Sequence, residues 1–251
     1  MPYTTNQGVR IHYQVEGEGP PLVIQHGFTD SLETWYELGY VETLQHDYRL
    51  ILVDARGHGH SDKPHTPAAY DMALRAGDVV AVLDAVHVPQ AHFMGYSMGG
   101  RIGFALAMYA PERFRSFIIG GSSPYQLPQT QADPMLQMLQ KGPEAIVWEA
   151  PLPPGLKARL LTNDIEALIA SWTQVRESPG GEAVLATMTM PCFLYASEAD
   201  ASYARIKECV KHMPNVTSCF LPGLNHTETF FRRDLVLPHV TRFLHAVREK
   251  V

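Results

Sequence analysis

Several short runs in this chain are apolar at every position, which neither a half-exposed strand nor an amphipathic helix would be. Leu22-Val23-Ile24 and Leu50-Ile51-Leu52-Val53 are the clearest of them. Strands apolar on both faces belong to a parallel sheet covered by helices on both sides. His92-Phe93-Met94, Phe114 to Ile119, Phe193-Leu194-Tyr195 and Val216 to Leu221 read as further strands. Val9 to Val15 alternates apolar and polar residues as a half-buried strand does, and Asn6-Gln7-Gly8 turns it back on Tyr3-Thr4-Thr5. Helical spacing marks residues 72 to 87, Ile102 to Ala110 (stopped by Pro111), 202 to 213 and 233 to 249.

Residues 122 to about 186 break this alternation. They contain no strong strand and many prolines, among them Pro124, Pro128, Pro134, Pro143, Pro151, Pro153 and Pro154. Short helical patches, Met135 to Leu139 and Ile165 to Trp172, lie between them. Compact domains rarely contain a structureless loop of this length, so the segment is expected to be a small helical cap insertion. The expected fold class is α/β: a three-layer, mostly parallel sheet flanked by helices. Residues 1–121 and 187–251 would form its core and 122–186 the insertion.

Composition narrows the function. Of 251 residues, 20 are Lys or Arg and 26 are Asp or Glu, giving a formal net charge of −6. A nucleic-acid binder needs a basic face to displace counterions, so that class is excluded. No apolar run approaches the roughly 20 residues that span a bilayer, and the polar start Met1-Pro2-Tyr3-Thr4-Thr5-Asn6-Gln7 is no secretory signal. Cys192, Cys209 and Cys219 are odd in number and read as buried reduced thiols, which fits a cytoplasmic protein, monomeric or homodimeric.

The strongest local signal is Gly95-Tyr96-Ser97-Met98-Gly99, a G-x-S-x-G pattern between a strand and a helix. The glycines relieve a turn on which bulky neighbours would collide, and the helix N-terminus then faces any negative charge that develops at Ser97. A serine hydroxyl needs a base, and His226 is the best placed of twelve histidines, in the turn-rich Leu221-Pro222-Gly223-Leu224-Asn225-His226. Asp200 is expected to orient the imidazole, with Glu198 as the rival acid two residues earlier. The backbone N–H groups of Phe28 and Met98 are the expected oxyanion donors. His26 is read as holding its loop by hydrogen bonds.

Taken together, His26-Gly27-Phe28, Asp54-Ala55-Arg56-Gly57-His58-Gly59-His60-Ser61, Gly95 to Gly100, the late Asp200 and Pro222-Gly223-Leu224-Asn225-His226 resemble an α/β-hydrolase of the serine-nucleophile, carboxylesterase-like branch. The resemblance implies an eight-stranded sheet, a Ser-His-Asp triad and a cap over the site. It also implies a structural role for Arg56, His58 and His60. No Cys or carboxylate cluster completes a ligand set around these histidines, so neither metal nor cofactor is expected. Ser97 excludes the branches that use an aspartate nucleophile. Gly95 to Arg101 and His26 to Trp35 are also similar to the succinyl-hydroxycyclohexadiene-carboxylate synthases, where the Arg after the serine turn, here Arg101, contributes to binding an acidic substrate. The insertion is apolar with few basic residues, which favours a small neutral ester, with Trp148 and Tyr96 as substrate-binding residues. The expected activity is carboxylic-ester hydrolysis through an acyl-enzyme. The alternatives are a carbon–carbon hydrolase or lyase step, or a ligand-receptor role on the same fold.

Overall fold

The computed structural model describes residues 1–128, 132–146, 152 and 155–248. Eight strands, β1 (Tyr3–Asn6), β2 (Val9–Glu16), β3 (Pro21–Gln25), β4 (Arg49–Val53), β5 (Ala91–Tyr96), β6 (Phe114–Gly120), β7 (Cys192–Ser197) and β8 (Val216–Leu221), form one sheet in the order β1-β2-β4-β3-β5-β6-β7-β8. The β1–β2 and β2–β4 pairs are antiparallel and the others parallel. The helices are α1 (Glu33–Glu37), α2 (Tyr40–Leu44), α3 (Met72–Ala85), α4 (Met98–Tyr109), α5 (Pro134–Gln140), α6 (Leu156–Leu161), α7 (Ile165–Glu177), α8 (Tyr203–His212), α9 (His226–Phe231) and α10 (Arg233–Arg248).

The two-residue period of the strands divides the core. Val23, Ile51, Phe93 and Phe117 face one side, where they pack with Val79 and Leu83 of α3, Ile102 of α4 and Ile206 of α8. Leu22, Ile24, Leu50, Leu52 and Ile118 face the other, against Trp35 of α1, Leu44 of α2 and Val240 and Leu244 of α10. The helices between β6 and β7 have a small cluster of their own, Leu139, Ile146, Leu156, Leu160 and Leu168. Among the described residues no helix is long and apolar enough to cross a membrane.

In register, Gln25 of β3 pairs with Gly95 of β5, Tyr96 with Gly120 of β6, and Gly120 with Tyr195 of β7. The carboxyl ends of these strands therefore share one edge. The loops that leave it carry Phe28, Ser97, Gly121 and Asp200, as expected where a parallel sheet opens a crevice for ligands.

Candidate active site

Ser97 sits between β5 and α4 at φ 54° and ψ −111°, a left-handed conformation that costs a non-glycine residue about 1–3 kcal/mol. Close backbone packing keeps it there. A Cβ on Gly95 would lie 2.4 Å from the Gly99 carbonyl oxygen, and one on Gly99 would lie 2.2 Å from that of Gln25. The Ser97 N–H donates to Gly120 O at 2.8 Å, which pins the turn to β6.

His226 Nε2 lies 2.8 Å from Ser97 Oγ, and its Nδ1 lies 2.6 Å from Asp200 Oδ2. Asp200 Oδ1 accepts from Ser202 N at 2.7 Å and Ser202 Oγ at 2.6 Å. Burial pushes the Asp200 carboxyl up, but the His226 hydrogen bond and the two Ser202 bonds outweigh it and hold it below the usual carboxylate range. An ionised Asp200 can only accept. It therefore fixes the neutral imidazole with its proton on Nδ1, leaving Nε2 to accept from the Ser97 hydroxyl. Glu198, the rival acid, is exposed, and its N–H donates to Leu221 O at 3.0 Å.

The sequence places His226 in a loop. The structure makes it the first residue of α9, capped by Asn225, whose side chain accepts from Glu228 N while Glu228 reaches back to Asn225 N. The signal was in the sequence: Asn225-x-x-Glu228 is a capping box, and it fixes where the helix starts and so where the imidazole points. Ser197 donates to Leu224 O, tying the preceding loop to β7. The Tyr96 hydroxyl donates to His226 O at 2.6 Å, and its ring stacks on Phe230 at 4.9 Å. Tyr96 is 2% exposed, supports the backbone of His226 and also lines a cavity beside Ser97 and His226. Trp148, the other expected substrate contact, lies outside the described residues.

Ser97, Phe28 and Met98 line a cavity of about 290 Å³ that continues to Trp172 and Val175 of α7, Arg101 of α4 and Arg205 of α8. A second, of about 170 Å³, shares Phe28, Ser97 and His226 and is closed by Met135 and Met138 of α5 and by Phe230. The N–H groups of Phe28 and Met98 have no hydrogen-bond partner among the described residues. His26 holds the Phe28 loop: Nδ1–H donates to Gly27 O at 2.7 Å, and Nε2 accepts from Ala55 N at 3.0 Å. Arg56 binds both oxygens of Asp78 at 2.6 Å and plays no part at the cavity. Arg101 gives one N–H to Tyr125 O at 2.9 Å, and among the described residues neither Arg101 nor Arg205 is in an ion pair. Burial, with the nearby charge of Arg205, pulls the Arg101 guanidinium down to about 10. No group of three or more His, Cys, Asp or Glu among the described residues could hold a metal ion.

A serine on a strained strand-to-helix turn, a histidine late in the chain and an acid after β7 are the parts of one known architecture. A family model described as the alpha/beta hydrolase fold matches residues 20–207. The chain is an α/β-hydrolase. This α/β-hydrolase is 30% identical over 176 residues to a putative 2-succinyl-6-hydroxy-2,4-cyclohexadiene-1-carboxylate synthase of Bacillus subtilis (strain 168), covering 68% of the chain and 57% of the relative. It is 36% identical over 121 residues to 3-oxoadipate enol-lactonase 2 of Acinetobacter baylyi, covering 47% of the chain and 44% of that protein. The matched stretch thus spans about half the length of these curated relatives. A hydrolase from Pseudomonas aeruginosa PA01 superposes with a TM-score of 0.83 at 25% identity, covering 97% of both chains.

Proposed function

We propose that this α/β-hydrolase cleaves carboxylic esters through an acyl-enzyme, with Ser97 as nucleophile, His226 as base and acid, and Asp200 as the orienting carboxylate. The hydrogen-bonded chain Ser97–His226–Asp200 at the wall of a cavity is the observation that carries this reading. Ser97 Oγ attacks the ester carbonyl as its proton passes to His226 Nε2. The tetrahedral oxyanion would be held by the N–H groups of Phe28 and Met98, two residues that line the cavity and whose N–H groups have no partner among the described residues. The C–O bond to the alcohol then breaks as Nε2 returns the proton to the leaving oxygen. Water repeats the sequence on the acyl-enzyme: its proton goes to Nε2, its oxygen to the carbonyl carbon, and Ser97 recovers the proton as the acid leaves. Asp200, ionised throughout, steadies the imidazolium. Residues 122–186 act as the cap, with α5 and α7 closing the two cavities.

The test is Ser97→Ala, expected to lower turnover of a short p-nitrophenyl ester by on the order of 10⁴-fold or more with the fold intact by circular dichroism. A fluorophosphonate adduct should map to Ser97. Full activity in the variant, or an adduct elsewhere, rejects the assignment.

A second reading keeps the triad and changes the bond broken: a carbon–carbon hydrolase or lyase step on an acidic substrate. Two guanidiniums without ion-pair partners at the end of the larger cavity favour it, since a substrate carboxylate would complete them. The resemblance to the Bacillus synthase points the same way. Comparing p-nitrophenyl butyrate with p-nitrophenyl hemisuccinate separates the two. Preference for butyrate supports the neutral ester. Preference for hemisuccinate, at low turnover, supports the acidic substrate.

A further inference from the structure

Arg75 of α3 is 1% exposed and touches neither Ser97 nor His226, yet it joins three parts of the molecule. Its Nε–H donates to Tyr70 O at 2.9 Å. Nη2 donates to Ser171 Oγ at 2.9 Å, with Ser171 O at 3.4 Å, on the buried face of α7. Nη1 lies 3.1 Å from Met98 Sδ, on the first residue of α4. Asp78, one helical turn on, is bound through both its oxygens by Arg56. Arg75 is thus a buried cation without a carboxylate of its own among the described residues. Burial leaves its guanidinium at about 10, far above neutral pH, so the charge stays.

Burying a charge this way is costly, and an unbranched apolar side chain would fill the space without that cost. What the arginine adds is a rigid planar fork that fixes several acceptors relative to one another. One of those attachments is the helix that carries Trp172 and Val175 on the cavity wall, and another is the residue that follows Ser97. We propose that Arg75 is a positioning residue for ester hydrolysis: it sets the separation of α7 from the start of α4, and with it the width of the cavity between Trp172 and Met98. It acts through Ser171 and Met98 and performs no proton transfer. The proposal rests on the Ser97 hydrolase reading for its catalytic consequence, but not for its structural one.

The experiment therefore has two readouts. Arg75→Met, Arg75→Lys and Ser171→Ala are assayed on p-nitrophenyl esters of increasing acyl length, with hydrogen exchange followed over residues 165–177. Arg75→Met is expected to lower kcat/KM for the preferred ester about tenfold or more, through kcat as well as KM, and to flatten the chain-length profile. Ser171→Ala should shift the profile the same way by about threefold, and Arg75→Lys, which keeps the charge but not the fork, should recover little of the loss. Amides of α7 should exchange faster in Arg75→Met and in Arg75→Lys, since neither side chain can span the three acceptors. If Arg75→Met does not fold, Ser171→Ala carries the test. A lowered melting temperature with unchanged kcat, KM and length profile overturns the proposal. Unchanged exchange in α7 overturns it whether or not any ester is turned over. Failure of the hydrolase reading shows separately, as a wild-type protein that forms no adduct at Ser97.

Discussion

The two walls of the cavity are held in place by different physics. The floor is the carboxyl edge of the sheet, where Ser97, Met98 and the Phe28 loop are fixed by backbone packed on backbone: Gly95 against Gly99, Gly99 against Gln25 and His26. The roof is the helical segment between β6 and β7. It has a small apolar cluster of its own and is joined to the floor chiefly by side chains: Arg75 to Ser171, Asn163 to Thr29 O at 2.8 Å, and Arg159 to Thr34 at 2.9 Å and Glu37. A floor built from main-chain contacts tolerates no change of shape. A roof built from side-chain links can be altered one link at a time. On the proposed reading, the floor would fix the chemistry and the roof would adjust what reaches it.

The largest expected effect tests that contrast directly. In Gly99→Ala the new methyl would lie 2.2 Å from Gln25 O and 2.8 Å from His26 O, and both are main-chain atoms in the sheet edge. Neither can yield alone, so the cost should exceed the roughly 1–3 kcal/mol of ordinary overpacking and appear in global unfolding by denaturant. Leu160→Ala empties a fully buried position of the roof cluster, a change worth about 2–5 kcal/mol. Its loss should fall on the roof alone: faster exchange in α5, α6 and α7 with the global midpoint unmoved. If both variants shift the global midpoint alike, the walls are one cooperative unit and the contrast fails.

The same contrast explains what could be read from the sequence. The floor is made of strands apolar on both faces and of glycines whose necessity is steric, and both leave marks at fixed spacing. Hence β3 to β8, the Ser97 turn and the pairing of His226 with Asp200 were legible, and Asp200 could be preferred to Glu198. Helix α9 was missed because six residues are too few for periodicity to register, although the Asn225–Glu228 box announces its start. Helices α1 and α2, of five residues each, went unread for the same reason. Tyr96, expected to meet substrate, lines the smaller cavity, and its hydroxyl also holds the His226 carbonyl, a second role with no mark in the sequence. The roof was legible only as helical. Arg75 and Arg205 acquire meaning only from contacts far apart in sequence, Ser171 and Met98 for the first and the cavity for the second, whereas Arg101 is marked by the synthase resemblance alone.

A smaller effect sharpens the boundary between the walls through two buried aspartates of opposite behaviour. Asp200 belongs to the floor and is held below its ordinary value. Its contribution to stability is present above an unfolded pKa of about 3.9 and is lost as pH falls through the lower folded value. Asp30 lies at the seam, where Thr34, its partner, also accepts from Arg159. Burial raises Asp30, against the Thr34 and Ser31 hydrogen bonds and the Arg159 charge. Its contribution is therefore greatest below about 3.9 and is lost as pH rises through the folded value. Melting temperatures measured from about pH 3 to 7 should show the deficit of Asp200→Asn deepening as pH rises, while Asp30→Asn improves relative to wild type. Slopes of the same sign would mean that hydrogen bonds outweigh burial at Asp30 as they do at Asp200.

The smallest effect concerns the one roof attachment that should not matter. His65 Nε2 lies 3.0 Å from Asp164 Oδ2 at the start of α7, and its Nδ1 lies 3.0 Å from Glu166, with the imidazole side chain 48% exposed. The Asp164 hydrogen bond raises the His65 pKa, so any contribution would be present below the ordinary histidine value and lost as pH rises through the folded one. Water and salt screen charges this open, and holding the side chains in place costs entropy. His65→Ala should therefore leave the melting temperature, the exchange of α7 and ester turnover unchanged at about pH 6 and about pH 8 in roughly 0.15 M salt. Faster exchange of α7 at the lower pH would put its seating at the surface and remove the reason for a buried guanidinium at Arg75.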